Sequence, residues 1–474
     1  LIINSLIAFP QYRQDWAKQF GGDKADYAYT GIQDSEGRFV FAGKVVKKQT
    51  DTWVLVTDSK GNEIWGKTYE DSYISGANQI IETSDGNYML AGFVQKKKRD
   101  RNLNGYLMKI SKQGKPLWQK RFGGDFEDVL TDVVETADGG FVAVGYSFSN
   151  PDEEKSFWVI SVEKSGNLKK EIQFGDTDED CANAVIRTSD GNFIAGGYSF
   201  SGAGKNMRLI KFTQDCEVLW DMPSEYEDIR EIHDLIELND SSVVAVGTER
   251  VKGLDYDGFM LRFKNNGDTI SSRKFGYGAW DEITCCAKTF DGNLVFGGFE
   301  KAGSDFSDFW MRKVSYEGKE LYFDTYRRSS IDFPEAIFEA SDNGIILTGH
   351  TWHIEQGWDY AVLKYKDANK TDVRFRKPEP LIATSPTSKF EIKACITSFT
   401  EPLRADVIVN GVIQVADAYS SFSMSESDCM FPVIAEIKLK PGMNKVTVAV
   451  KDKRGNIVTS DRTVYYIPSS EMSW

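Results

Sequence analysis

Along most of this chain apolar and polar residues alternate at period two, in short runs broken at Gly, Asn and Asp, which tolerate the positive φ angles of tight hairpin turns. That is the pattern of short antiparallel strands. The pattern also returns about every fifty residues: a polar turn, a short apolar run closed by Gly, an aromatic-rich strand, then a Gly-containing turn. Its plainest copies are Thr83-Ser84-Asp85-Gly86-Asn87-Tyr88-Met89-Leu90-Ala91-Gly92, Ala137-Asp138-Gly139-Gly140-Phe141-Val142-Ala143-Val144-Gly145 and Ser189-Asp190-Gly191-Asn192-Phe193-Ile194-Ala195-Gly196-Gly197. The closing glycines fall at Gly43, Gly92, Gly145, Gly197, Gly247, Gly298 and Gly349, spaced by 49, 53, 52, 50, 51 and 51 residues. These are seven copies of one supersecondary unit, each too short to bury its own apolar face, so neighbours must stack and share a core.

In the third copy the strands read as Val129 to Thr136, Phe141 to Gly145, Phe157 to Val162, and a last one ending at Phe174-Gly175-Asp176, with turns at Asp138-Gly139-Gly140 and Gly166-Asn167. Four strands at this period predict an all-β fold, a seven-bladed β-propeller. Blades end in strands such as Leu117-Trp118-Gln119-Lys120-Arg121-Phe122-Gly123-Gly124-Asp125, and an extra copy, Asp15-Trp16-Ala17-Lys18-Gln19-Phe20-Gly21-Gly22-Asp23, precedes the first blade. No Trp strand follows Asp359 to Tyr365, so the N-terminal strand is expected to close the last blade and cover its edge.

Blade-type periodicity stops after Tyr365, and Lys377-Pro378-Glu379-Pro380 reads as a stiff linker. Beyond it come Phe390 to Thr397, Ala405 to Val409 with an Asn410-Gly411 turn, Ala435 to Leu439, Lys445 to Val450 and Arg462 to Ile467, which predict an Ig-like β-sandwich. The expected domains are a lead-in at 1–13, the propeller at 14–376 and the sandwich at 377–474. Leu1 to Pro10 has the length of a signal-peptide h-region and reads as the remnant of one; an extra edge strand is the other reading.

A hydrophobic content of 41% and an aromatic content of 13% over 474 residues suffice for a large core, and no apolar run approaches the length of a spanning helix. No membrane span is therefore expected, and the net charge of −14 repels phosphate backbones, so no nucleic-acid partner is expected either. Lys96-Lys97-Lys98-Arg99-Asp100-Arg101 is a local exception and reads as a solvated loop. Of the six cysteines, Cys395 and Cys429 share the small domain and are the plausible disulfide partners.

The repeat Thr-x-Asp-Gly-Gly/Asn-aromatic, its apolar run and Gly, and the Trp strand ending in Phe-Gly-Gly-Asp resemble the propeller repeats of secreted proteins of Bacteroidetes-type bacteria, over residues 14 to about 366. The C-terminal module is similar to the Ig-like domain found beside caspase-like peptidase domains in some of them. That resemblance implies a secreted, periplasmic or cell-surface protein, or the non-catalytic part of a peptidase system. No Gln-Ala-Cys-x-Gly signature is present, so no peptidase activity is expected. Asp58-Ser59-Lys60-Gly61-Asn62-Glu63-Ile64-Trp65 faintly resembles the tryptophan-docking motif of quinoprotein dehydrogenases, and Cys285-Cys286 the vicinal disulfide of some of them, but that family implies eight blades rather than seven.

Chemistry is sparse. His350-Thr351-Trp352-His353 holds two of the three histidines without the partners zinc needs and reads as surface loop. No Gly-x-Ser-x-Gly elbow occurs, and Gly202-Ala203-Gly204-Lys205-Asn206 lacks phosphate-loop spacing. Carboxylates recur after the fourth strands: Asp23 and Asp26, Asp71, Asp125 and Asp128, Asp176 and Asp180, Asp228, Asp281 and Glu282, Asp332 and Glu335. They suit one calcium per blade, or a lock on the loop between blades, and recurrence in every blade favours the lock. No metal or cofactor is otherwise expected. The segments that vary follow the second strands, and there Tyr146, Phe148, Tyr198, Phe200 and Trp352 either form a rim for a protein or glycan partner or cover blade edges. The expectation is a non-enzymatic binding protein.

Overall fold

The computed structural model describes residues 12–468 except 23–24, 71, 99–101, 151–153, 176–178, 202–203, 224–229, 253–254, 277–279, 301–307, 327–330, 354–356, 368–371, 379–381, 398–401, 421–430 and 452–456. The expected signal-peptide remnant Leu1 to Pro10, Arg99 to Arg101, the carboxylates Asp23, Asp71, Asp176 and Asp228, and Cys429 therefore lie outside the described residues. Every regular element among those described is a β-strand, and none is a helix long and apolar enough to cross a membrane. The chain forms two compact units, Gln14–Tyr365 and a smaller one of Leu1–Arg13 and Lys366–Trp474.

The third repeat shows why its sequence folds as it does. Asp128–Glu135, Phe141–Ser147, Ser156–Val162 and Leu168–Phe174 pair in that order as an antiparallel sheet. Phe141–Val144 and Phe157–Val162 are buried throughout because a neighbouring sheet covers each face, so they read as unbroken apolar runs; Leu168–Phe174, at the edge, reads as polar and is mostly exposed. The same set recurs from Asp180–Arg187, Arg230–Glu237 and Asp281–Lys288. The sets that begin at Asp26–Gln33 and Ile74–Glu82 join into one eight-stranded sheet through a parallel Thr50–Ile74 pairing. Ile331–Glu339, Ile345–His353 and Gly357–Asp367 take Tyr12–Phe20 as the fourth strand of their sheet. Repeated four-stranded antiparallel sheets of this kind fit a β-propeller.

The cores lie between successive sheets. Met89, Ala91 and Leu107 of one repeat pack with Phe141, Trp158 and Ile160 of the next, and Phe39, Phe41 and Leu55 of the first with Ile346, Tyr360 and Val362 of the last. Trp16 joins that last cluster and lies against Gly61, whose carbonyl takes Lys18 Nζ at 2.8 Å. Trp118 sits likewise over Gly166, so the spaced Gly and Trp of the repeat clasp one sheet to the next.

The Asp-Gly turns do the same at their end of the strands. Thr188 Oγ1 donates to Asp190 at 2.6 Å, and the buried Lys211 reaches the same carboxylate at 2.5 Å; Lys109 with Asp85 and Lys313 with Asp291 repeat this at 2.6 Å. Burial alone would push Asp291 up, but Lys313 and Thr289 hold it down at about 2. Ser84 N and Oγ donate to Glu135 of the next repeat at 2.6 and 2.8 Å, and Ser341 N of the last repeat donates to Gln33 Oε1 of the first at 2.6 Å.

In the smaller unit a three-stranded sheet (Asp372–Lys377, Lys389–Thr397, Phe431–Lys438) and a five-stranded one (Ile382–Ser385, Ile457–Tyr466, Gly442–Lys451, Arg404–Val409, Val412–Val415) share one core, with Phe375, Ile392 and Val433 from the first and Val407, Val448 and Val464 from the second. Lys377 pairs with Lys393, so the expected linker is partly strand and the division falls before it, at Lys366. Asp372–Lys377 escaped the sequence reading because its charged alternate residues hide a period-two pattern built on only Val373 and Phe375.

Candidate functional site

The closing glycines, the strongest mark of the repeat, are required by a β-bulge. Opposite Gly145 the pairing slips between Leu130 and Asp132, leaving Thr131 unpaired. Tyr29, Asn78, Asn183, His233, Thr284 and Glu335 are the bulged residues of the other first strands. Each bulge presses a carbonyl into the space a Cβ would occupy, Tyr27 O at Gly43 and Val129 O at Gly145, so only Gly fits. The bulges turn polar side chains onto a central channel of about 490 Å³ lined by the first strand of every repeat.

Most of these groups bind the next repeat. Asn78 Nδ2 donates to Leu130 O at 2.8 Å, Thr131 Oγ1 to Ala182 O at 2.8 Å, Asn183 Nδ2 to Ile232 O at 2.7 Å and Thr284 Oγ1 to Pro334 O at 2.7 Å. Asp132 accepts Gln79 Nε2 and Val185 N, both at 2.8 Å, and Asp234 accepts Cys286 N at 2.8 Å. Burial outweighs those bonds and pushes Asp132 up to about 6 and Asp234 to about 7.

Glu335 breaks the pattern, facing an imidazole rather than a carbonyl of the next repeat. His350 Nδ1 stands 3.5 Å from its Oε1. Burial pushes Glu335 up to about 8 against the pull of Lys44, and pushes His350 down to about 4, so at neutral pH the glutamate holds the proton and the imidazole is uncharged. Tyr27, Trp358 and Phe333 surround His350 at ring-centroid distances of 5.2, 5.0 and 5.4 Å, and Lys44 Nζ lies 4.6 Å from the centroid of Tyr27. The expectation of a surface loop here is corrected: His350 is in the strand Ile345–His353 and only 8% exposed. The side chain of His353 lies outside the described residues.

Across the same end of the strands lie the aromatics singled out from sequence. Tyr146 donates its hydroxyl to Glu127 at 2.7 Å, packs edge-on to Phe148 at 6.1 Å and carries Lys155 Nζ 4.3 Å from its centroid. Lys155 also donates to Tyr198 Oη at 2.8 Å; Lys205 lies 4.1 Å from that ring's centroid and pairs with Glu231 at 2.5 Å. Tyr146, Tyr198, Phe200 and Trp352 belong to the extended second strands rather than to loops, because pairing continues past the closing glycine, and only Phe148 lies beyond the strand. Tyr198 is 5% exposed with its faces and hydroxyl already engaged, which corrects its reading as an open anchor; Tyr146, Phe148, Phe200 and Trp352 are part-exposed. The sequence reading missed Lys44, Lys155 and Lys205, and it placed Glu335 among the carboxylates after the fourth strands rather than on a first strand.

Of the recurring carboxylates, Asp128 acts as a lock. Asp128 accepts Gly124 N at 2.9 Å, Ser147 Oγ at 2.5 Å and Ser149 Oγ at 2.9 Å, filling both oxygens. Among the described residues no three His, Cys, Asp or Glu gather as a metal site. Cys285 and Cys286 are buried free thiols, not a vicinal disulfide; Cys181 and Cys216 are free too, and Cys395 is disulfide-bonded.

No known protein family matches the sequence, and no curated protein matches it. Among solved structures, the extracellular domain of a protein described as a hybrid two component system of B. thetaiotaomicron is similar over 96% of this chain and 60% of its own, at 10% identity and a TM-score of 0.47. The chain thus spans about 60% of the length of that protein. A polysaccharide lyase, the PL25 ulvan lyase, is similar over 73% of this chain and 95% of its own, at 10% identity and a TM-score of 0.49. The β-propeller domain of the Trilobed protease from Pyrococcus furiosus is similar over 70% and 98%, at 10% identity and 0.39. These likenesses carry no activity or partner over to this chain.

Proposed function

We propose that this chain is a non-enzymatic, extracytoplasmic bacterial binding protein: a seven-bladed propeller that holds a protein or glycan across the mouth of its central channel, with an Ig-like sandwich as spacer or docking module. The observation that carries the reading is the meeting of aromatic and charged groups from different repeats at one end of the channel. Tyr27, His350, Trp358 and Glu335 stand on one side, and Tyr146, Phe148, Lys155 and Glu231 on the other. Rings that supply area, beside charged groups that fix orientation, are the makings of a recognition surface. The seven-bladed count is supported by the seven bulged first strands, and the secreted location by the resemblance of the repeats.

A photo-reactive side chain at Phe148 or Trp358 should cross-link the full chain to its partner, and one at Leu168, exposed on an outer strand, should not. Equal capture from Leu168, or turnover of glycoside, ester or peptide substrates by the purified chain, would overturn the proposal.

A further inference from the structure

Because the repeats are near copies, a place where one departs from the rest in several residues at once stands out. The first repeat does so around Trp53. Paired with the closing glycine, Trp53 corresponds to Tyr106, Trp158, Arg208, Phe259, Trp310 and the small Ala361. Those six are buried, while Trp53 is part-exposed. The fourth strand brings Gln119, Glu171, Asp221, Ser272 and Phe323 to the neighbouring position in the first five of those repeats. Asp221 takes Arg208 Nη2 at 2.7 Å, and the Phe323 and Trp310 centroids are 6.4 Å apart. In the first repeat that position is Gly66, which has no side chain to lay over the indole.

A second difference, from the third repeat, lies beside it. The serines that fill both oxygens of Asp128 are replaced at the matching positions by Val45 and Lys47. Asp26, 1% exposed, accepts Gly22 N at 2.7 Å through Oδ2, while its Oδ1 has no hydrogen-bond partner among the described residues. Asp26, Trp53, Gly66, the exposed Glu63 and Lys48 bound a cavity of about 600 Å³, the size of a small-molecule pocket.

We infer that this cavity is a saccharide-binding site, with a sugar ring laid on the indole of Trp53 and its hydroxyls donating to Asp26 and Glu63. The chemistry selects that class. An anion meets a buried carboxylate at Asp26, and a simple cation has no use for the aromatic wall and meets Lys47, Lys48 and Lys67 on the way in. A neutral polyhydroxyl ligand supplies donors to the carboxylates, acceptors to the indole N–H and lysines, and an apolar C–H face to the ring. The site is separate from the channel mouth.

The test is retention of the full chain on an array of neutral oligosaccharides: glucans, mannans, xylans and galactans. At least one class should be retained. Gly66→Lys, a side chain of the size Gln119 and Glu171 bring to that position, should weaken retention by about tenfold or more, and Gly66→Ala much less. Glu63→Gln, on an exposed side chain, should also weaken it and serves if Gly66→Lys does not fold. Retention of no oligosaccharide, or undiminished retention by folded Gly66→Lys or by Glu63→Gln, overturns the site. Loss confined to Tyr146→Phe and Phe148→Ala would place the sugar at the channel mouth, overturning this inference while leaving the proposed binding function standing.

Discussion

The carbonyl oxygen of Val129 occupies the space that a Cβ on Gly145 would need. The clash is with backbone, which cannot swing aside as a side chain can, so Gly145→Ala must push the bulge at Thr131 out of place. It should cost about 1–3 kcal/mol in denaturant unfolding, whereas Gly22→Ala, where a Cβ meets nothing within 4 Å, should stay within about 0.5 kcal/mol.

Closure by the N-terminal strand predicts a second result. Trp16 packs on Phe39 at 6.3 Å and against Gly61, so Trp16→Ala should cost about 2–3 kcal/mol. Deleting 14–20 should lower the melting temperature further by baring the strand Gly357–Asp367. An unchanged melting temperature in the deletion would rule that closure out.

Stability should depend on pH in two limbs. Asp132, Asp234 and Glu335 are raised to about 6, 7 and 8 in the folded chain, so it holds protons the unfolded chain has released, and stability falls as pH rises from about 4 to 8. Asp138 and Asp291 are lowered to about 2, and their contribution is lost as pH falls from about 4 to 2. His350, held neutral with its value lowered to about 4, adds a loss below about 6.5. Glu335→Gln should therefore flatten the alkaline limb in melting curves and leave the acid limb in place.

The rim aromatics differ in kind. Tyr198→Ala should cost about 2–4 kcal/mol, since that ring is buried between Lys155 and Lys205. Phe148→Ala should leave the melting temperature unchanged while weakening partner capture, which makes it the cleaner probe of the channel mouth.

The sequence by itself determined the repeat, its four strands and the turns, because period-two burial and the φ demands of Asp-Gly and Asn-Gly are local matters. It marked Gly145 and its counterparts without their reason, which is a carbonyl from another strand. It marked Trp16 as a strand lacking a partner, and only the sheet order seats it beside Gly357–Asp367. The channel groups stayed hidden because Glu335 and His350 lie on different strands and meet only when a bulge turns one toward the other. Trp53 and Gly66, ordinary in the sequence, became a cavity only when the register showed the side chains that five other repeats bring to the position of Gly66. Tertiary structure decided the site because exposure is set by what the neighbouring strand lacks, and that is not written at the residue itself.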